Sequence, residues 1–352
     1  MVAPDMPLAL RVAKREGEVA RSKVRALGLL DSRRKILDVQ GYLEIPLMAD
    51  DQALASLGSL VEQKHAVWAG SPLTPYQLIY RKAPLPEDLK LLLPRRWEKI
   101  GDVLALRFPP ALRPYQSEVC QTYAAILGVR AIVDIQAIEG PWRRPRAELL
   151  WGDDTETIHT ENGIRYKLDV RNVMFSSGNI DERVRMSKVC LPGEVVVDMF
   201  AGIGYFSLPM AIHGGAAIVY ACEVNPIAYH YLKENIRINE ADCVRPLFGD
   251  CREVAPHGVA DRVLLGYLRD TYLFLPEALR ALRSEGWIHL HEACPDDTAS
   301  KLAIHLREAV KAQDMKLSKS HLRRVKSYAP CVSHWVLDAF IAQAGPLRSR
   351  SR

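Results

Sequence analysis

Residues 195–209 read VVVDMFAGIGYFSLP, an apolar run that ends in an acid and is followed by two glycines one residue apart. Such a run is typical of a strand that leads into a ligand-binding loop. A dinucleotide-binding loop would have the pattern GxGxxG, in which the third glycine lets the helix pack closely. Ser207 stands at that third position. Asp198 lies four residues before Gly202, and its carboxylate suits a cationic ligand group better than a diphosphate.

Acidic residues also end the next two predicted strands: Glu223 closes VYACE, and Asp250 closes LFGD. The first carboxylate can accept hydrogen bonds from ribose hydroxyls, and the second can accept one from an adenine amino group. With Asp198 opposite an ammonium, and with Gly202 and Gly204 permitting close backbone approach, the set predicts S-adenosylmethionine as the ligand. Each acid alone is equally compatible with a solvated strand end or a helix cap. A nicotinamide cofactor would also use Glu223 at its ribose.

From Ser187 onward the sequence alternates between strand-like and helical patterns. Strands are predicted at EVVVDMF, AIVYACE, VRPLFGD, DRVLLGYL and WIHLHEA, with helices between them, and two more near SYAPCVSHWVLDAFIA. This rhythm is typical of a doubly wound, mostly parallel α/β sheet, whose ligands bind beyond the carboxyl ends of the strands. We expect three parts: a small α/β module at 1–65, a middle α+β segment at 66–185 and the cofactor-binding domain at 186–345.

The composition is that of an ordinary globular protein: 352 residues, 48% hydrophobic and 25% charged, with a net charge of +5. No stretch approaches the roughly 20 apolar residues of a membrane span, and we expect a cytoplasmic location without a membrane partner. The seven cysteines are scattered without a CxxC pair, so neither a disulfide framework nor a metal site is predicted. The mildly basic charge permits a polyanionic partner without requiring one.

Several motifs resemble a family of tRNA-modifying enzymes that act on the guanosine just 3′ of the anticodon: VVDMFAGIGYFS, ACEVNP, GDCRE, NVMFSSGNIDERVR, WEKIGDVLALRFP and VKSYAP. The resemblance extends from about Arg96 to Ala339. It implies a Rossmann-like class I S-adenosylmethionine-dependent transferase domain with a mostly parallel seven-stranded sheet, preceded by smaller N-terminal α/β domains. The family has two branches: methyltransferases that modify ring nitrogen 1 of that guanosine, and aminocarboxypropyltransferases of the wybutosine pathway.

Departures from the methyltransferase pattern favour the second branch. Methyltransferases typically have Asn-Leu-Pro at the end of the fourth strand, whereas this chain has GYL at 266–268. They also typically have Pro-Arg after a Phe-Ser pair, whereas this chain has FSSGN at 175–179. The fifth strand ends in His291 and Glu292, similar to the His-x-His-Glu of the aminocarboxypropyl branch, and His334 follows YAP. The methyltransferase remains the alternative. Two alternative functions lie outside these enzyme branches: a nicotinamide-dependent oxidoreductase and a catalytically silent tRNA-binding module.

The resemblance implies transfer of the 3-amino-3-carboxypropyl group of S-adenosylmethionine to carbon 7 of 4-demethylwyosine in tRNA-Phe, with release of methylthioadenosine. His291 or Glu292 would accept the proton that carbon 7 loses. Ser176 and Arg183 would hold the cofactor's carboxylate. The predicted cofactor-binding residues are Phe175, Ser176, Arg183, Asp198, Phe200, Gly202, Gly204, Glu223, Val224, Asn225, Asp250 and Cys251.

A tRNA substrate also requires cationic side chains that contact its phosphates. The basic clusters PRRWEK, RRPR and KLSKSHLRRVK are the candidates, although ordinary solvated charge is compatible with each. The predicted tRNA-binding residues are Arg95, Arg96, Arg143, Arg144, Arg146, Lys319, Arg323, Arg324 and Lys326. We expect the enzyme to act as a monomer.

Overall fold

A computed structural model describes residues 7–68, 73–140 and 142–343. The chain divides into two compact units, one extending up to Arg81 and the other beginning at Lys82. No helix among the described residues is long and apolar enough to cross a membrane.

The first unit contains an antiparallel four-stranded sheet of order β2-β3-β1-β4. The strands are β1 (Leu8–Ala13), β2 (Leu37–Val39), β3 (Tyr42–Pro46) and β4 (Ser59–Glu62); the helix α1 (Gly17–Ala26) follows β1, and α2 (Pro75–Lys82) spans the boundary between the units. Ala20 and Val24 lie one turn apart on α1 and are buried in a cluster with Leu10 and Ile45 of the sheet. The smaller N-terminal α/β domain that the resemblance implies is therefore present, in a unit that extends to Arg81.

The second unit begins with a smaller sheet of order β5-β6-β7-β8. Its elements are α3 (Glu87–Lys90), β5 (Trp97–Ile100), β6 (Val103–Leu106), α4 (Gln116–Leu127), β7 (Ala131–Glu139) and β8 (Arg144–Trp151). A hairpin of β9 (Glu156–Glu161) and β10 (Ile164–Asp169) follows, and then the helix α5 (Ile180–Val189). The two residues between β9 and β10 are Asn-Gly, the pair most typical of a tight hairpin.

The seven-stranded sheet has the order β13-β12-β11-β14-β15-β17-β16. Neighbours from β13 to β15 are parallel, whereas β17 is antiparallel to both β15 and β16. The strands are β11 (Val195–Asp198), β12 (Ile218–Glu223), β13 (Val244–Phe248), β14 (Ala260–Leu268), β15 (Leu282–Pro295), β16 (Met315–Ala329) and β17 (Val332–Gln343). The helices are α6 (Ser207–Ile212), α7 (Pro226–Ile238), α8 (Cys251–Val254), α9 (Leu275–Ala281) and α10 (Lys301–Ala312). The predicted mostly parallel, doubly wound sheet is confirmed.

One hydrophobic cluster joins the two sheets of the second unit. It contains Val103 and Val133 of the small sheet, Tyr166 of the hairpin, and Val196 and Val219 of the large sheet. Because these side chains exclude water together, the middle segment packs against the large sheet through a shared hydrophobic cluster.

Strand β16 begins at Met315, well before the predicted position of the late strands. It is an edge strand, and the basic cluster KLSKSHLRRVK lies within it. Charged residues are common on edge strands because they discourage pairing with other chains. Their density is the reason that the apolar pattern did not reveal the strand.

Candidate functional site

A cavity of about 460 Å³ lies at the carboxyl ends of the parallel strands, beside the point where strand order reverses at β11. Its volume is within the range of small-molecule sites. Nine of the predicted cofactor-binding residues line it: Ser176, Arg183, Phe200, Gly202, Glu223, Val224, Asn225, Asp250 and Cys251. Phe175, Asp198 and Gly204 lie outside the lining.

The loop between β11 and α6 depends on two glycines with left-handed backbone conformations. Gly202 has φ +58°, and Gly204 has φ +102°. A Cβ on Gly202 would lie 2.7 Å from the ring of Tyr205, and one on Gly204 would lie 2.8 Å from the side chain of Leu208. Gly202 lines the cavity as predicted, whereas Gly204 shapes the turn behind it.

Asp198 has a different environment from the one predicted. It is 0% exposed, and it accepts hydrogen bonds from Ser207 Oγ at 2.7 Å and from Phe200 N at 3.2 Å. Burial raises the pKa of this carboxyl to about 6. The predicted contact with an ammonium is therefore replaced by a supporting role, in which Asp198 fixes the loop from behind. Ser207, which stands where a dinucleotide-binding loop has its third glycine, is the partner in that contact.

Glu223 lies at the end of β12 and faces the cavity. Its Oε2 accepts from Gly202 N at 2.8 Å, and its Oε1 accepts from Asn225 N at 2.7 Å. Burial raises the pKa of Glu223. The carboxylate thus ties the glycine loop to the first turn of α7 and keeps further acceptor positions for a ligand.

Asp250 also lines the cavity, and it caps α8 by accepting from Arg252 N at 2.9 Å. The hydrogen bond from the Arg252 side chain lowers the pKa of Asp250.

An aromatic cluster lies near Asp250. Phe200 stacks on Tyr267, with ring centroids 5.2 Å apart and an interplanar angle of 17°. Phe274 meets the Phe200 ring edge-on. These three aromatic residues line the cavity and form an aromatic wall beside the acids.

Arg183 is already paired in the protein. Its guanidinium is 3% exposed and forms two hydrogen bonds of 2.6 Å with the carboxylate of Glu161. It also donates to the carbonyl of Ser176 at 2.9 Å. Phe175 lies against this guanidinium, 5.2 Å from it, and packs behind the cavity. Arg183 therefore has less capacity for a cofactor carboxylate than the sequence predicts.

Of the two predicted catalytic residues, His291 lines the cavity and Glu292 does not. The two are adjacent on β15, so their side chains point to opposite faces of the sheet. Glu292 accepts from Thr271 N at 2.7 Å, and burial raises its pKa. His291 is 0% exposed, and its Nδ1 lies 3.0 Å from Nε2 of His334. Glu292 thus supports the start of the segment at Thr271 and lies outside the cavity lining.

The lining also includes Asn179, His334 and Lys326, which lie outside the predicted cofactor-binding and catalytic sets. Asn179 Oδ1 and His334 Nδ1 are buried without a hydrogen-bond partner among the described residues. Lys326 was predicted to contact phosphate but faces the cavity, where burial lowers its pKa. His334 had a sequence signal in its position after YAP, whereas the locations of Asn179 and Lys326 follow only from the fold.

The other predicted tRNA-binding residues fall into three groups. Arg143 lines the cavity, and Arg144 and Arg146 line a second depression beside it with Arg171. Arg95, Arg96 and Lys319 are exposed. Three of the predicted residues have acidic partners: Arg146 lies 3.0 Å from Glu139, Arg323 pairs with the buried Glu182, and Arg324 lies 3.8 Å from Asp296. No group of three or more residues suited to a metal ion occurs in the described part of the chain.

A doubly wound sheet with acids ending successive strands around a glycine loop defines a class I S-adenosylmethionine-dependent transferase domain. Comparison with family models identifies the family. The TRM5/TYW2 methyltransferase domain matches residues 157–318, the TYW2 N-terminal domain matches 80–155, and the tRNA methyltransferase 5 N-terminal domain matches 9–55. The chain belongs to the TRM5/TYW2 family, which confirms the resemblance and the predicted cofactor.

Relatives from both branches are similar to the chain. It is 43% identical over 256 residues to the tRNA(Phe) (4-demethylwyosine(37)-C(7)) aminocarboxypropyltransferase of Pyrococcus horikoshii, covering 72% of this chain and 92% of that one. It is 33% identical over 329 residues to the tRNA (guanine(37)-N(1))-methyltransferase Trm5b of Pyrococcus abyssi, covering 92% and 96%. The crystal structure of P. horikoshii TYW2 in complex with MeSAdo matches with a TM-score of 0.67 at 41% identity, covering 74% and 96%.

Proposed function

We propose that this enzyme transfers the 3-amino-3-carboxypropyl group of S-adenosylmethionine to carbon 7 of 4-demethylwyosine at the position 3′ of the anticodon of tRNA-Phe, releasing methylthioadenosine. We further propose that it acts as a monomer in the cytoplasm. When bound, S-adenosylmethionine supplies an electrophilic carbon and a neutral thioether leaving group. The protein's part is to orient the base opposite one of the three carbons on sulfur.

The observation that carries this proposal is the surroundings of Gly178 and Gly266. At these two positions the methyltransferases of the family have an arginine and an asparagine. A Cβ on Gly178 would lie 2.9 Å from Nζ of Lys326, and one on Gly266 would lie 3.3 Å from the ring of Phe206. Phe206 in turn stacks on His291, with centroids 5.2 Å apart. The ammonium of Lys326 thus lies where the methyltransferases have a guanidinium, and the stacked pair of Phe206 and His291 lies where they have an amide. The groups that line the cavity near the base therefore differ between the two branches.

The lining fits the parts of S-adenosylmethionine. Glu223 would accept from the ribose hydroxyls, because its carboxylate already faces the cavity. The unpartnered Oδ1 of Asn179 would accept from the ammonium. Lys326 and Arg143 would hold the carboxylate, since the charge of Arg183 is compensated by Glu161. A buried acceptor without a partner is costly unless a ligand supplies the donor.

The second depression supports tRNA binding next to the cavity. Trp142 and Asn172 line both spaces, and Trp142 is 54% exposed. Arginines beside an exposed aromatic ring provide phosphate contacts and a stacking surface for a neighbouring base. We therefore place the backbone of the anticodon loop along Arg144, Arg146 and Arg171.

Two labelled forms of S-adenosylmethionine test the proposed reaction with tRNA that carries 4-demethylwyosine. A label in the aminocarboxypropyl carbons should pass to tRNA, and a label in the methyl group should remain in methylthioadenosine. Mass analysis of the digested nucleosides identifies the product. The matched control is the same tRNA with unmodified guanosine at that position, which should acquire neither label.

Methyl label in the guanosine-containing tRNA, without aminocarboxypropyl transfer to the tricyclic base, would instead identify the methyltransferase reaction. In that case the fold and the cofactor site would stand, and the interpretation of Gly178 and Gly266 would be wrong.

A further inference from the structure

The cavity wall contains a buried pair of histidines from two antiparallel strands. His291 lies on β15 and His334 on β17, and both line the cavity. They are 0% and 1% exposed, and His291 Nδ1 lies 3.0 Å from His334 Nε2. At this distance one ring donates a hydrogen bond to the other. The two tautomers are therefore linked, and the state of one ring sets the state of the other.

The remaining nitrogens of the pair have different surroundings. His291 Nε2 lies 3.9 Å from Oε1 of Glu182, a carboxylate that is 1% exposed and is held by Arg185 at 2.7 Å and by Arg323. Neither His291 Nε2 nor His334 Nδ1 has a hydrogen-bond partner in the parts of the chain that the structure describes, and both atoms are buried. The histidine pair thus has a carboxylate near one end, and both rings belong to residues that line the cavity.

This arrangement selects one tautomer for each ring. The Glu182 carboxylate attracts a proton on His291 Nε2, which leaves His291 Nδ1 as an acceptor. His334 must then donate through Nε2, and its Nδ1 carries a lone pair. Of the two nitrogens without a hydrogen-bond partner, His334 Nδ1 is consequently the one that keeps its lone pair and can act as a base.

We infer that His334, through Nδ1, takes the proton from carbon 7 of the base, and that His291 and Glu182 are positioning residues that hold it in the required tautomer. The inference rests on the proposed function. Carbon 7 forms its new bond to carbon with π electrons of the ring, while the electrons of the broken carbon–sulfur bond leave with sulfur. The carbon–hydrogen electrons then restore the aromatic ring, and the proton goes to His334.

The electrostatic surroundings are consistent with this role. Burial lowers the pKa of His334 to about 4; Glu182 acts against this shift, and Lys326, Arg323 and Arg143 add to it. The imidazole is therefore neutral, and available as a base, at pH 7. A weak base is sufficient, because a proton on a cationic ring carbon is strongly acidic and its loss restores aromaticity.

The tautomers are measurable without any reaction. In the protein labelled with ¹⁵N-histidine and free of ligands, the nitrogen chemical shifts at pH 7 should show the proton of His334 on Nε2 and that of His291 on Nε2. A proton on His334 Nδ1 would overturn the inference, since that nitrogen could not then act as a base. This measurement also decides the matter if substitutions at His334 prevent folding.

The second test uses His334→Gln, since the glutamine amide reaches the position of Nε2 and retains a partner for His291 while Nδ1 is removed. Single-turnover transfer should fall by about 100-fold or more, with unchanged affinity for S-adenosylmethionine. Deuterium at carbon 7 of the substrate should then produce a primary isotope effect that is absent in the wild type. His289→Gln is the matched control, because His289 is 2% exposed, binds Asp338 at 2.5 Å and lies outside the cavity lining.

A His334→Gln enzyme with wild-type rate and no isotope effect would refute the inference while the proposed function stood. Failure of the wild-type enzyme to transfer the group would refute the proposed function instead, and the tautomer measurement would still test the predicted proton positions.

Discussion

Replacing Glu223 by Ala removes a carboxylate that connects two parts of the cavity wall. Its oxygens accept from Gly202 N at 2.8 Å and from Asn225 N at 2.7 Å. Each carboxylate oxygen can accept a second hydrogen bond, and we assign these positions to the ribose hydroxyls of S-adenosylmethionine. The variant should therefore lose the ribose contacts and also the hydrogen bonds that support the two loops.

The expected loss of binding free energy is on the order of 1–3 kcal/mol, the range for hydrogen bonds to a charged acceptor. This corresponds to an increase in Kd of about 5- to 150-fold. Isothermal titration calorimetry with S-adenosylmethionine measures the affinity, and thermal unfolding measures the accompanying loss of stability. The second measurement is needed because the amides of Gly202 and Asn225 lose their acceptor in the folded protein.

The control is Glu292→Ala. Glu292 is also a buried residue near the end of a strand, and it accepts from Thr271 N at 2.7 Å, but it lies outside the cavity lining. Both variants should be less stable, and only Glu223→Ala should bind S-adenosylmethionine more weakly. Unchanged affinity of Glu223→Ala, or an equal loss in Glu292→Ala, would refute the ribose assignment.

Two further predictions concern pH and salt. Burial raises the pKa of Asp198 from 3.8 to about 6. Its contribution to stability is therefore fully present below pH 3.8 and is lost as the pH rises through 6. Denaturant unfolding should show that Asp198→Asn removes on the order of 2–3 kcal/mol of the stability difference between pH 4 and 7. Equal pH dependence in both proteins would contradict this. Replacing Arg144, Arg146 and Arg171 together by Ala should reduce the slope of log K for tRNA binding against log salt concentration by roughly 0.7–0.9 for each phosphate that the variant no longer neutralises. The control variant Arg237→Ala, on α7, should leave this slope unchanged. An unchanged slope in the triple variant would mean that the three arginines are only solvated.

Much of the fold could be predicted because the signals are local. The apolar runs that end in Asp198 and Glu223, and the helical segments between them, predict the alternating elements of the parallel sheet. The glycines and acids at the strand ends then indicate the cavity, because parallel strands all end at the same edge. Nine of the predicted cofactor-binding positions line it for this reason.

The burial of individual side chains and their contacts with distant parts of the chain could not be predicted in the same way. Packing across the sheet decides whether an acid at a strand end faces the cavity or lies behind the loop. For this reason the sequence pattern does not show that Glu223 lines the cavity whereas Asp198 lies behind the glycine loop. The ammonium of Lys326 lies next to Gly178 because β16 returns to the same cavity, and no local pattern shows this. The position of Glu292 outside the cavity lining was different, since alternation along β15 already requires His291 and Glu292 to face opposite sides.

The position of β17 between β15 and β16 has a consequence for biosynthesis. β17 is the last of the seven strands to be translated, yet it pairs with both of the strands that precede it in the chain. Until β17 emerges, β15 has an unpaired edge, which is a site for improper pairing and for chaperone binding. His291 also meets His334 only then. A nascent chain can therefore complete its glycine loop early, but it gains the histidine pair only at the final step of sheet formation.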